Sequence, residues 1–169
     1  MTEPNAIIYF KDVADALNYL HSSGIAHRSL ATDYIVITFA NRAKLCGLQG
    51  FGELCDIEQN SEITPCWMTH EQNAFIAPEA LAREPHCPFA EDIWSYGVCM
   101  YTTLCGGYPF DGYKDKEKLQ HQIKDKHWVK KERAKPLSAK TKLLLEQIFQ
   151  LDSLQRPVID ELLKDQWFN

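Results

Sequence analysis

Asp92-Ile-Trp-Ser-Tyr-Gly-Val-Cys-Met-Tyr-Thr-Thr-Leu-Cys105 carries no formal charge after its first residue, and none follows until Asp111. A helix that is apolar on every side belongs in the middle of a globular core. The stretch 92–105 is therefore expected to be a buried central helix. It does not suit a bilayer, because Ser95, Gly97, Thr102, Thr103, Gly106, Gly107 and Pro109 interrupt the roughly 20 apolar residues that a membrane span requires.

The rest of the chain supplies shorter elements to pack around that helix. Upstream, Ile7, Phe10, Ala14, Leu17 and His21 recur at steps of three and four, which marks one face of an amphipathic helix stopped by Gly24. His21 on that face is expected to pack rather than to catalyse. Tyr34-Ile-Val-Ile-Thr-Phe39 is β-branched and aromatic, Ala40-Asn-Arg42 can turn, and Ala43-Lys-Leu-Cys46 can return, so a small β-hairpin is expected. From Gly47 to about Phe75 no period persists, and Glu53, Asp56, Glu58 and Glu62 make the run acidic. A long surface loop of this kind inside a domain is usually functional or disordered.

Pro78-Glu-Ala-Leu-Ala82 can open a short helix. Downstream, 114–126 has helical spacing with Leu119 and Ile123 as its narrow apolar edge. Ser138 to Leu151 reads as a helix capped by Ser138, and Pro157 to Phe168 as a last helix that buries Ile159, Leu162, Leu163 and Trp167.

A length of 169 residues with 45% hydrophobic content suits one domain with a real core. The net charge of −5 argues against general nucleic-acid binding, but it is unevenly spread. Residues 1–113 sum to −9, 114–142 to +7 and 143–169 to −3. The basic block reads either as a solvated face or as a docking patch for an acidic partner. The start, Met1-Thr-Glu-Pro-Asn5, has neither a signal-peptide pattern nor a Gly for myristoylation, so an intracellular protein, cytoplasmic or nuclear and not secreted, is expected. Cysteines 46, 55, 66, 87, 99 and 105 form no CxxC pair and are expected to be reduced thiols. Cys66, His70, His86 and Cys87 are too irregularly spaced to read as a zinc set, and no metal ligand is expected.

His27-Arg-Ser-Leu-Ala-Thr-Asp-Tyr-Ile-Val-Ile37 resembles the protein-kinase catalytic loop, H-R-D-L-x-x-x-N followed by an apolar strand. Ala77-Pro-Glu79 matches the kinase A-P-E, Asp92-Ile-Trp-Ser-Tyr-Gly97 resembles the start of the kinase F helix with its Trp94, and Leu154-Gln-Arg-Pro157 resembles the segment holding the Arg near the end of the domain. Together these motifs cover nearly the whole chain. The resemblance implies a mainly α fold over 1–169, the C-terminal lobe of a protein kinase, with helices around a buried central helix, a small hairpin and an activation-segment-like loop over 46–79. It also implies that Arg156 pairs with Glu79 and that Asp92 braces the backbone at His27 and Arg28. Its nearest look is the calmodulin-dependent and testis-specific serine kinase branches.

The same resemblance implies that the chemistry is gone. Phosphoryl transfer needs a carboxylate at the attacking hydroxyl, a cation on the phosphate, and an Asn and an Asp on magnesium. Aligned on His27-Arg28, those places hold Ser29, Ala31 and Tyr34, while Gly47-Leu-Gln49 stands eighteen residues after Ser29, where D-F-G is usual. Sliding to Gly50-Phe-Gly52 restores a Phe-Gly but no Asp. Asp33, beside Tyr34, reads as a solvated acid, and Glu71 and Gln72 stand where active enzymes have a small residue near the substrate. No G-x-G-x-x-G or V-A-I-K lysine is present, and too few residues precede the first helix for an N-terminal lobe, so the chain is either a short product or a piece of a longer one. Arg28 could dock a phosphate on Ser61, Thr64 or Thr69, or simply pack locally.

Two functions follow from this reading. One is a catalytically inactive pseudokinase lobe that regulates or scaffolds another protein, including a true kinase, with no cofactor. The other is a Ser/Thr kinase that uses ATP and magnesium only when an N-terminal lobe is supplied in trans or by a longer product.

Overall fold

The computed structural model describes residues 1–48, 53–54, 72–112, 115–126, 128 and 136–168. Its axle is α3, Pro88–Cys105, which begins four residues before the expected 92 because Pro88 sits in the first turn, where its missing N–H costs nothing. Gly106 ends the helix at φ 74°, its N–H donating to Thr102 O at 2.8 Å. Every residue from Glu91 to Tyr101 is buried, and Phe89 and Ala90 in the first turn and Thr102 to Cys105 in the last are half-exposed. Gly97 lets a neighbouring helix close on this backbone: a β-carbon there would collide with Ile148 Cγ2.

The first helix, α1 (Glu3–Ser22), buries Ala6, Phe10, Val13, Ala14, Leu17 and Leu20. Its seam is rotated slightly from the expected one, leaving Ile7 and His21 half-buried. Phe10 meets Tyr96 edge to face at 5.4 Å, and the Tyr96 hydroxyl donates to Phe10 O at 2.9 Å, which fastens α1 to α3. Gly24 follows at φ 72°, and β1, Ile25–Ala26, begins the return.

The expected hairpin forms from β2 (Ile35–Ile37) and β3 (Ala43–Leu45), antiparallel, with Ile35 opposite Leu45 and Ile37 opposite Ala43. Its strands are shorter than the apolar run, because Tyr34 lies in the 3₁₀ turn Thr32–Tyr34 and Thr38 already bonds across the loop to Arg42 O. Asp12 of α1 holds the hairpin down through a bidentate pair with Arg42 and by accepting from Ala43 N–H at 2.9 Å. The Arg42 contacts and this backbone donor keep the Asp12 carboxyl below its usual range, burial opposing.

The acidic run is not wholly a loop. A two-residue strand, β4 (Glu53–Leu54), pairs antiparallel with β1, and a 3₁₀ turn spans Gln72–Phe75. Two-residue pairings carry no periodic signal. Glu71, Cys55, Cys66, His70, Ser61, Thr64, Thr69 and the Gly50-Phe-Gly52 alternative lie outside the described residues.

Beyond α2 (Pro78–Leu81), α4 (Lys116–Lys124) is capped by Asp115, which accepts from Lys118 N–H, and it buries Leu119 and Ile123. Helix α5 (Ala139–Ile148) is capped by Ser138 as expected but stops at Phe149 instead of Leu151. Leaving the helix there sets the Phe149 ring among Trp94, Phe110 and Trp128, at centroid distances of 5.0, 5.2 and 5.6 Å.

The expected last helix over 157–168 is broken. A short α6, Ile159–Leu162, gives way to a 3₁₀ turn, Gln166–Phe168, which Asp165 starts by accepting from Trp167 N–H at 2.7 Å. The break swings the Trp167 indole N–H onto Thr141 Oγ1 at 2.9 Å and Glu3 Oε1 at 3.2 Å. Ser138 Oγ also donates to Glu3 at 2.5 Å. Burial raises the Glu3 pKa, but these hydroxyl and indole donors outweigh it and hold the carboxyl below its ordinary value. The first and last turns are thus tied through one carboxylate. Among the described residues, no helix is long and apolar enough to cross a membrane.

Candidate functional site

The site begins where β1 ends. Asp92, fully buried in α3, accepts from His27 N–H at 2.8 Å and from Arg28 N–H at 2.7 Å with its two oxygens. His21 Nε2 lies 2.9 Å from Oδ2, so the histidine expected only to pack is also a partner of this carboxylate. Arg28 takes φ 59°, unusual for a residue with a side chain, and the two backbone bonds to Asp92 hold it there. The His27 ring turns the other way, its Nε2 2.8 Å from Cys46 O, and this connects the 27–34 loop to the end of β3.

The four positions where the resemblance to kinases would put the chemistry follow from that frame. Ser29 is buried, with its Oγ 3.3 Å from His27 Nδ1 and facing its own loop. Ala31 is buried and offers only a methyl group. Tyr34 is half-buried, its ring 6.1 Å from that of His27. Gly47 has φ 91°, and a β-carbon on it would stand 2.5 Å from Tyr34 Cδ1 and 2.8 Å from Cγ. The phenol ring therefore fills the space that a side chain at position 47 would need. Cys46 N–H donates to Tyr34 O at 2.9 Å, which keeps the two segments in register.

Magnesium does not fit these residues. Magnesium wants hard oxygens in near-octahedral order, whereas a ring faces a glycine here, and the nearby carboxylate, Asp33, is exposed. Cys46, Cys87 and Cys99 are free thiols, and the described residues hold no cluster of metal-ligating side chains.

A second constellation closes around α2. Glu79 and Arg156 meet through two parallel bonds, 2.6 and 2.7 Å, both side chains being buried. Two further guanidinium donors go to Gln150 O at 3.1 Å and Ala90 O at 3.0 Å, and the guanidinium lies 5.0 Å from the centroid of the Trp94 ring. Trp94 in turn stacks on Phe110 at 5.5 Å. Arg156, Trp94 and Glu79 thus join the end of the chain to α3 and α2.

Sequence reasoning missed a third group. Glu91, also buried, lies 3.2 Å from His86 Nε2 and 3.9 Å from Arg28 Nε, while His86 Nδ1 lies 2.6 Å from Glu84 O. His86 sits between Pro85 and Pro88 with no periodicity to flag it. Burial works against charge on its ring, but the Glu91 carboxylate, the Glu84 carbonyl and the more distant Glu79 outweigh that and raise the imidazole above its ordinary 6.5. Burial pushes Glu91 up as well, against the pull of His86, with the Asp92 charge adding to the rise and Arg28 opposing it.

A histidine raised in the folded state adds stability that is complete below its unfolded pKa and is lost as pH climbs through the folded one. Glu91, an acid raised by folding, works in the same direction from about 4.5 upward. The thermal midpoint is therefore expected to fall as pH rises above about 6.5, and His86→Gln to remove that part of the slope. Parallel midpoints of the two proteins across that range would contradict the assignment.

Comparison with known proteins adds the context for this geometry. The protein kinase domain family model matches residues 1–168. Among curated proteins, the chain is 32% identical over 158 residues to testis-specific serine/threonine-protein kinase 2 of Mus musculus, covering 94% of this chain and 43% of that protein. It is 33% identical over 170 residues to serine/threonine-protein kinase PLK1 of Xenopus laevis, covering 99% and 26%. It is 30% identical over 167 residues to testis-specific serine/threonine-protein kinase 1 of Mus musculus, covering 99% and 45%. The chain thus spans less than half the length of these relatives.

Proposed function

Because this chain belongs to the protein kinase domain family, we propose that it is a pseudokinase lobe, a kinase frame that transfers no phosphate and acts by binding another protein. The observation that carries this reading is the Tyr34 ring lying 2.5 Å from where a Gly47 side chain would begin. Transfer of a phosphoryl group is mostly positioning and charge neutralisation. Ser29 and Ala31 supply neither a base carboxylate nor a cation, and Tyr34 against Gly47 leaves no pair of metal ligands. Restoring an Asp at position 47 alone would strain a backbone at φ 91° and collide with the ring.

In this reading the frame residues are kept for shape. His27, Arg28 and Asp92 hold the loop, Glu79, Trp94 and Arg156 hold the base of the lobe, and 46–79 is the counterpart of an activation segment. The binding surface is the hairpin, where Val36 is 49% exposed, Ile37 43% and Phe39 fully exposed, beside half-buried Ile35 and Leu45. An uncharged strand edge with such side chains suits an apolar or strand-forming partner, and a true kinase is one such partner. The free thiols fit a cytoplasmic or nuclear site of action.

The names of the relatives favour a second reading, a Ser/Thr kinase that uses ATP and magnesium once completed by further chain or by a partner lobe. It requires a base where Ser29 stands. The two readings separate on metal. With Mn²⁺ as a paramagnetic probe, amide signals of residues 33–35 and 46–48 are expected to broaden no more than those of the surface at large. Selective broadening at Tyr34 and Gly47 would overturn the pseudokinase reading.

A further inference from the structure

The contacts of His86 do not balance without an added proton. Its Nδ1 lies 2.6 Å from Glu84 O, and its Nε2 lies 3.2 Å from Glu91 Oε2. A carbonyl oxygen only accepts, so Nδ1 carries a hydrogen, and a neutral ring then turns a bare lone pair toward the carboxylate. Two acceptors do not hold each other at 3.2 Å, so one further proton lies between Nε2 and Oε2. The two side chains are only 7% and 4% exposed, which leaves water little room to stand in for it.

That proton fastens a loop. The connection from α2 to α3 turns at Arg83, φ 56°, runs exposed through Glu84 and Pro85, and comes back to α3 at His86. Its backbone bonds run to α2 alone, Arg83 N–H to Ala80 O and Glu84 N–H to Glu79 O, each at 3.0 Å. Arg83, in a conformation that side chains disfavour, is the natural hinge. Glu91 has a second cation within reach, Arg28 Nε at 3.9 Å. The other charges facing the pair among the described residues are engaged: Glu79 of α2 with Arg156, and Asp92 of α3 with the His27 and Arg28 amides and His21 of α1.

We propose that the contact between His86 and Glu91 is a proton-operated latch. With the proton in place, it holds the 83–87 loop against α3. When the proton leaves to a base in solvent, the Glu91 carboxylate turns to Arg28 and the loop is released about Arg83. Burial opposes charge on the ring, but Glu91, the Glu84 carbonyl and Glu79 outweigh it, so the latch is closed below the ordinary 6.5 and opens as pH climbs above it. Neither state involves nucleotide, so binding of ATP would count against the pseudokinase reading and leave the latch standing.

The test is a titration of the full chain, labelled with ¹³C and ¹⁵N, from about pH 6 to about pH 9, read by NMR at the His86 ring nitrogens and the carbonyl carbons of 83–87. The Nε2 signal and the loop carbons are expected to move together with one midpoint above 6.5, while Nδ1 stays protonated. Glu91→Gln supplies an amide that can donate to the bare Nε2, so its loop signals should remain at the parent's low-pH positions throughout. Glu91→Ala should hold them near the parent's high-pH positions at every pH. The parent titration decides even where a variant does not fold. Loop carbons that stay flat while Nε2 titrates, a bare Nδ1 at low pH, a midpoint below 6.5, or Glu91→Gln titrating like the parent would each overturn the latch.

Discussion

Arg156→Ala is expected to destabilise the fold by about 3 to 5 kcal/mol, the usual cost of leaving one member of a buried ion pair without its partner. Glu79 would be left buried without its ion partner after losing bonds of 2.6 and 2.7 Å. Gln150 O and Ala90 O would lose their donor as well, and Trp94 its guanidinium face. Lysine cannot substitute, because one ammonium does not reproduce the planar fork that serves Glu79 and both carbonyls at once. Urea unfolding measures the loss directly. The double variant Glu79→Ala, Arg156→Ala should cost less than the sum of the single changes, since neither charge is then stranded. A loss below about 1 kcal/mol for Arg156→Ala would place the pair in the class of weak surface bridges.

Asp92→Ala is the other large effect, about 2 to 6 kcal/mol, because two buried backbone donors lose their acceptor at about 1 to 3 kcal/mol each. The donors are His27 N–H and Arg28 N–H, at 2.8 and 2.7 Å, and His21 loses its partner at 2.9 Å. A local consequence accompanies the global one. Arg28 sits at φ 59° because Asp92 holds both amides, so hydrogen exchange at His27 and Arg28 should accelerate by more than the change in global stability explains. Equal acceleration across the whole core would mean that Asp92 only fills space.

The sequence announced some of this architecture clearly. The uncharged run after Asp92 marked α3, and Leu119 and Ile123 marked the buried edge of α4, because burial on one helical face repeats along a chain. Contacts that do not repeat stayed hidden. Nothing in the spacing of Ile159, Leu162, Leu163 and Trp167 reveals that Asp165 breaks the helix, since the reason lies at Glu3, which receives the Trp167 indole N–H at 3.2 Å. The pairing of β1 with β4 is two residues long and leaves no pattern.

The candidate site divides in the same way. His27, Arg28, Glu79, Asp92 and Arg156 were picked out by resemblance to kinase motifs, and Ser29, Ala31, Tyr34 and Gly47, where that resemblance puts a kinase's chemistry, could be read one position at a time. That Tyr34 and Gly47 touch was not readable, because a ring lying over a glycine is a tertiary contact. His86 and Glu91 escaped for a related reason. One lies in a proline-bounded loop and the other just ahead of the run that drew attention, and only the fold brings them to Arg28.

The most direct measurement is a thermal-shift titration of the 169-residue chain with ATP, with and without magnesium, beside an active kinase as control. A ligand at about 100 times its dissociation constant stabilises its protein by about 2.7 kcal/mol, a shift of a few degrees. With Tyr34 lying over Gly47, the chain should show no shift at concentrations that move the control. A magnesium-dependent rise in its midpoint would mean that the ring yields to metal and phosphate, and the pseudokinase reading would be wrong.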